Sequence, residues 1–181
     1  MDPTRVLLSF KKHVKEWKRT IDKYEIDDLS RKPGATSWSL GQVCMHVIVL
    51  HDIFYMHNVY LCLDQKEGAS VQGEGKNLMG RMIFFMKSIP PMKVKMPESE
   101  YFDPPQADSI AQLNDEFDHL VKTMEAAAER LPQADLTFRS QHPLLGRLNA
   151  WEWYQGAEFH IRHHLLQARR IEKFLQSSPS R

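Results

Sequence analysis

His160 and His164 stand four residues apart, a spacing that on a helix turns two imidazoles to the same side and lets both bind one metal ion. Ile161 fills the position that a zinc protease of the HExxH type gives to its general base, so that chemistry is excluded. His46 raises the same question from far upstream, because all three histidines fall where an apolar residue belongs in a helical stripe. A buried imidazole needs a partner for each ring nitrogen, and three converging on one interior are most simply satisfied by a divalent cation. Glu158, Asp52 and His142 are candidates to polarise water or hold a substrate beside it.

Four helices must carry these residues. The first opens with Asp2 as N-cap and Pro3 at the first helical position, then runs Val6, Phe10, Val14, Trp17, Ile21 and Tyr24 along one face. Lys11, Lys12, Lys15, Lys18, Arg19 and Lys23 fall mostly on its wet side and read as a solvated face, since Glu16 and Asp22 interrupt them. The second starts at Ser39, with Gln42 completing a capping box, and its seam is Val43, His46, Leu50, Ile53, His57 and Leu61, fading near Gln65. The third begins near Asp108 with Ser109 and Gln112 as cap pair, follows Ile110, Leu113, Phe117, Leu120, Met124, Ala127 and Leu131, and ends at Pro132. The fourth begins near Asn149, with Glu152 at the box position, along Trp153, Ala157, His160, His164, Gln167, Ile171 and Phe174. No alternating β-branched run competes, so the class is all-α: a four-helix bundle with one long crossover between the second and third helices. Asn77 to Ser88 reads as a short extra helix in that crossover, and Pro90, Pro91, Pro97, Pro104 and Pro105 keep the rest irregular.

The stripe also sorts the histidines. His163 competes with His164, being i+3 from His160, but it sits with Phe159 and Leu166 on the flank of the 153-157-160-164-167-171 line. His57 lies three turns beyond His46, roughly 16 Å away and too far to share its ion. His13, His51 and His119 lack a partner at ligand spacing and are expected to face solvent.

Composition narrows the function classes. The 181 residues fit one domain, 1–181, with 24 Lys and Arg against 23 Asp and Glu, a net charge of +1, and nine histidines. Near-neutrality argues against a nucleic-acid binder, which needs a basic surplus on one face. No stretch approaches the ~18–20 apolar residues of a membrane span. Met1 to Arg5 lack the basic-then-apolar order of a secretion signal. Cys44 and Cys62 share the second helix, roughly 27 Å apart, so they are expected to be reduced thiols of a cytoplasmic protein. Gly73, Gly75 and Gly80 fit neither nucleotide-loop spacing.

Two segments resemble a known family. Trp38-Ser39-Leu40-Gly41-Gln42-Val43-Cys44-Met45-His46 is similar to the segment that opens the second helix of DinB/YfiT-like proteins, four-helix bundles with a histidine-rich divalent metal site. Gly146, Leu148-Asn149-Ala150-Trp151-Glu152-Trp153 and then His160, His164 and Gln167 resemble the matching fourth-helix segment, and His142-Pro143 just before resembles a DinB-like subgroup. The resemblance implies three ligands, His46, His160 and His164, zinc or nickel as the metal, and positions left open to water. It also implies a homodimer. Characterised relatives include S-transferases and isomerases that use low-molecular-weight thiols, and others described as metal-dependent hydrolases.

The leading expectation is therefore a divalent-metal enzyme that activates a small thiol for attack on an electrophilic small-molecule substrate, with no catalytic residue assigned beyond the ligands. Hydrolysis by metal-bound hydroxide is the first alternative, and a non-catalytic metal-binding stress-response protein the second. Met79, Met82, Phe84, Phe85 and Met86 read either as an apolar lid over the electrophile or as ordinary core packing by the extra helix.

Overall fold

The computed structural model describes residues 2–90 and 104–177. Pro91 and Pro97 lie outside the described residues. Helix α1 spans Pro3–Ile21, with Asp2 accepting from the Arg5 amide at 3.3 Å. A short α2, Ile26–Ser30, leads to a long second rod made of α3 (Leu40–Leu50), a π turn (His51–Met56) and α4 (His57–Leu63). The crossover holds α5 (Leu78–Met86), and α6 spans Ile110–Arg130. A hairpin of β1 (Arg139–His142) and β2 (Gly146–Asn149) then feeds α7, Ala150–Ser177. The expected four-helix bundle is thus present, with α1, the α3–α4 rod, α6 and α7 as its members. Phe10, Trp17, Leu113, Phe117, Leu120, Met124 and Trp153 are fully buried at its centre. Trp17 stacks on Phe117 and donates its indole N–H to the Ile161 carbonyl at 3.2 Å, which ties α1 and α6 to α7. The basic face of α1 is met by acids on its neighbours: Lys11 by Glu125, Lys18 by Asp118 and Lys23 by Glu172.

The second rod departs from its periodicity. The expected seam ran on through Ile53 and His57, yet both are exposed, and Tyr55, Met56, Val59 and Cys62 are buried instead. The π turn is the cause, because its wider winding rotates everything after it relative to an unbroken α-helix. His46 precedes the turn and keeps its inward place.

The hairpin was not expected, since Arg139–His142 and Gly146–Asn149 contain no β-branched residue and, apart from the buried Leu148, no large apolar one. Tertiary bonds hold it. The His142 Nδ1 accepts from the Leu144 and Leu145 amides at 3.1 and 3.3 Å, and Arg147 donates to the carbonyls of Gln72, Ser70 and Arg139. The Gly-rich crossover pairs alongside through Ser70 with Arg139 and Lys76 with Gly146. β2 runs directly into a capping box: Glu152 N–H donates to Asn149 Oδ1 at 3.0 Å, and the Asn149 amide to Glu152 Oε2 at 2.9 Å. Lys76 also pairs with Glu152, so crossover, hairpin and the start of α7 are fixed as one unit.

In α5 only Gly80 and Ile83 are buried, while Met79, Met82, Phe85 and Met86 are exposed. The core-packing reading of this helix therefore fails for those four, and Phe84 alone of the five turns in, against Phe159. No helix among the described residues is long and apolar enough to cross a membrane.

Gly146 has φ +83, and a Cβ there would lie 2.6 Å from the Asn77 nitrogen and 2.7 Å from the Gly75 oxygen. Gly146→Ala should cost about 2–3 kcal/mol in denaturant melts, from both strain and backbone collision. Gly34→Ala, whose Cβ would meet nothing nearer than Ser37 Oγ at 3.5 Å, should be close to neutral in the same measurement.

Candidate metal centre

Two rods bring the three inward histidines together. Ser39 caps α3 and places His46 two turns in, and the Asn149 cap sets the start of α7, which carries His160 and His164 on successive turns. The three rings are buried, at 6–8% exposure. One ligand atom from each lies within 4.8 Å of the other two, and the ring centroids are 4.5 to 5.2 Å apart. Trp38 lies 4.8 Å from the His46 ring and Tyr55 5.1 Å from His160, so aromatic surface flanks the cluster from two sides.

Burial keeps these rings neutral. It pulls the pKa of His46 down to about 4 and that of His164 to about 3, and it takes His160 well below its ordinary value, helped by the neighbouring imidazoles. A neutral imidazole is the form that ligates a cation. His164 Nδ1 lies 2.9 Å from Gln167 Oε1, which accepts a hydrogen bond from the Nδ1–H tautomer and leaves Nε2 free to coordinate. His46 Nδ1 is buried with no hydrogen-bond partner among the described residues, a cost of ~1–3 kcal/mol that coordination of the ring would offset. Three neutral nitrogens, one of them oriented by an amide oxygen, are a donor set that fits a divalent ion of borderline softness.

The remaining candidates stand elsewhere. Glu158 faces α1, where Ser9 donates to it at 2.8 Å and Arg162 and His13 lie within 3.1 and 3.3 Å. Burial alone would raise its pKa, but these partners together lower it. Asp52 pairs with His119 of α6 at 3.4 Å. His142 spends Nδ1 on the hairpin turn and stacks on Trp153. None of the three joins the cluster. His163 Nδ1 lies 3.3 Å from the Ile89 carbonyl rather than among the three, in keeping with its flank position.

Two of the histidines expected in solvent are not there. His51 is buried, with its ring 5.2 Å from Phe10 and Nε2 2.9 Å from Thr123 Oγ1, because the π turn rotates it toward α1 and α6. His13 is largely covered beside Glu158, whereas His119 is half exposed as expected. Tyr55 escaped the sequence reading for the same reason as His51. Gly156 was its trace: a Cβ there would meet the Tyr55 ring at 3.0 Å.

A family model described as the DinB superfamily matches residues 3–168. The chain belongs to the DinB superfamily. No curated protein matches it significantly. Within this DinB-superfamily chain the match covers three bundle helices in full, α7 as far as Ala168 and all three clustered histidines, so the two short segments that first suggested the family are part of a likeness along most of the length.

Buried neutral histidines make stability depend on pH. His51, held at a pKa of about 3 mainly by burial, cannot take the proton it accepts near 6.5 when unfolded. Its contribution is complete above pH 6.5 and is lost as pH falls below that value. Denaturant melts in chelator should show stability flat above pH 7 and falling toward pH 4. His51→Gln should reduce that slope by up to ~1.4 kcal/mol per pH unit, and an unchanged slope would contradict the assignment.

Proposed function

We propose that the protein is a cytoplasmic metalloenzyme that binds a divalent ion, zinc or nickel, through His46, His160 and His164 and activates a low-molecular-weight thiol for attack on an electrophilic small molecule. The observation that carries the metal reading is the approach of three buried imidazoles to within 4.8 Å of one another. Membership of the DinB superfamily and the thiol chemistry of the relatives it resembles support the choice of reaction. Two free, buried cysteines agree with a reducing compartment.

When bound, a divalent ion in this position supplies Lewis acidity, lowering the pKa of a thiol that shares it. The chain's own residues do the rest. His46, His160 and His164 offer lone pairs without first losing protons at neutral pH. Gln167 fixes the His164 tautomer and ring plane. Trp38 and Tyr55 exclude water from two sides of the cluster, which strengthens every electrostatic interaction inside it. Glu158, Asp52 and His142 are engaged in structural contacts, so the proposal assigns no separate general base.

Elemental analysis should find about one ion per chain, and His46→Ala, His160→Ala and His164→Ala should each retain less than about a tenth of it. Gln167→Ala should weaken binding about 10–100-fold with the fold intact. Metal content that survived all three histidine changes would overturn the site. A conjugation assay with several small thiols should show turnover abolished by chelator and restored by metal. Chelator-sensitive ester cleavage without thiol would replace thiol activation with hydrolysis. A loss of melting temperature in His160→Ala, with no activity in the parent protein, would make the ion structural.

A further inference from the structure

Helix α5 carries an apolar stripe that nothing among the described residues covers. Leu78, Met79, Met82, Phe85 and Met86 fall on one face at helical spacing, and Leu78 and Phe85 are 84% and 89% exposed. Large apolar side chains this open, grouped on one helix, mark an interaction surface. The opposite face anchors the helix. Asn77 donates to the Leu145 and Leu144 carbonyls at 2.9 Å, Gly80 and Ile83 are buried, and Phe84 packs on Phe159.

Cations surround the stripe. Arg81 borders it and bonds a backbone carbonyl, that of Lys76, rather than a carboxylate, and Lys87 is exposed at the end of the helix. Immediately beyond, Ser88 and Ile89 line a hollow of about 300 Å³ to which α7 adds Arg162, His163 and Arg169 beside Leu165 and Leu166. Arg162 donates to the Lys87 carbonyl and so ties this hollow to the end of α5, and the exposed Arg170 lies within electrostatic reach of His163. Carboxylates answer two of these cations, the buried Glu158 at 3.1 Å from Arg162 and Glu16 at 2.5 Å from Arg169. Arg81, Lys87 and Arg170 have no carboxylate partner among the described residues, and the exposed Glu74 lies at the far end of α5, before its cap. A chain of net charge +1 thus holds three uncompensated cations beside its open apolar helix.

We infer that this region docks on the surface of a membrane rich in anionic phospholipids, with α5 lying in the interface, its stripe among the acyl chains and the surrounding cations against lipid phosphates. Leu, Met and Phe on one side with cations at the margin are the pattern of an interfacial helix, and the docking is peripheral, since no helix among the described residues is long and apolar enough to cross. Charge selects the occupant. The cations repel a like-charged face and stay uncompensated on a neutral apolar one, whereas an anionic leaflet accepts both the stripe and its margin. Each cation held near such a leaflet strengthens binding by about fivefold. Because Asn77 and Phe84 already fix the helix, insertion costs little further ordering. The inference rests on α5 and its surroundings and is independent of the metal reading.

Sedimentation with vesicles of phosphatidylcholine alone, or with about 30% phosphatidylserine, tests the docking. The wild-type chain should bind the mixed vesicles at least about tenfold more tightly than the neutral ones, and about 0.5 M salt should remove most of that difference. Leu78→Glu/Phe85→Glu should weaken binding more than about tenfold, with melting temperature and metal content unchanged because both side chains lie outside the core. Lys87→Glu/Arg170→Glu should bring binding to the mixed vesicles down to the neutral level. Tryptophan emission of Phe85→Trp should be quenched by brominated acyl chains. Failure of the wild-type chain to bind the mixed vesicles, equal binding to both kinds, full binding by Leu78→Glu/Phe85→Glu, or unquenched Phe85→Trp would each overturn the inference. A wild-type dimer in light scattering that Leu78→Glu/Phe85→Glu abolishes would assign the stripe to a second copy instead. A lower melting temperature in that double variant would mean that the chain itself covers the stripe, and would contradict the docking as well.

Discussion

Desolvation of three imidazoles is the constraint around which this bundle is organised. His46, His160 and His164 occupy positions that leucine or valine would fill at lower cost, and each gives up the hydration of two ring nitrogens to be there. Gln167 answers one nitrogen of His164, while His46 Nδ1 has no partner among the described residues. A bundle selected for stability alone would not carry such a debt at its centre. A cation shared by the three rings, as proposed, would satisfy it, and burial holds the rings in the form that a cation requires.

The other features of the fold serve the mutual placement of two rods. α7 must be fixed both along its axis and about it. The Asn149–Glu152 box, reinforced by Lys76, sets where its first turn lies, and the bond from Trp17 to the Ile161 carbonyl holds it against α1. On the opposite rod the π turn separates two tasks. Before it, α3 aims His46 at α7; after it, the changed rotation buries Tyr55 beside His160 and leaves Ile53 and His57 outside. Gly156 admits the Tyr55 ring against α7, so the two helices approach closely just one turn before His160.

Helix starts and the histidine cluster were legible because they rest on local chemistry: Asp2, Ser39, Ser109 and Asn149 each cap a helix, and 160, 164 and 167 share one face by arithmetic. The π turn was not. His51 to Met56 contain neither Gly nor Pro, and the turn answers to packing by Thr123, Trp153 and Gly156 on other helices. The hairpin was hidden for a related reason, since its polar strands are held by Arg147 and by the His142 ring rather than by strand propensity. Extending the seam through the π turn misplaced Ile53 and His57 while leaving His46 correct, because the error begins only after it, whereas His51 was misplaced because the lack of a partner at ligand spacing says nothing about burial.

X-ray absorption at the metal edge of the loaded protein, recorded without added thiol, tests the central claim most directly. Three imidazole nitrogens at ~2.0–2.1 Å of a zinc ion, with no sulfur neighbour, are the predicted first shell. A sulfur neighbour at ~2.3 Å, or fewer than three imidazoles, would contradict it.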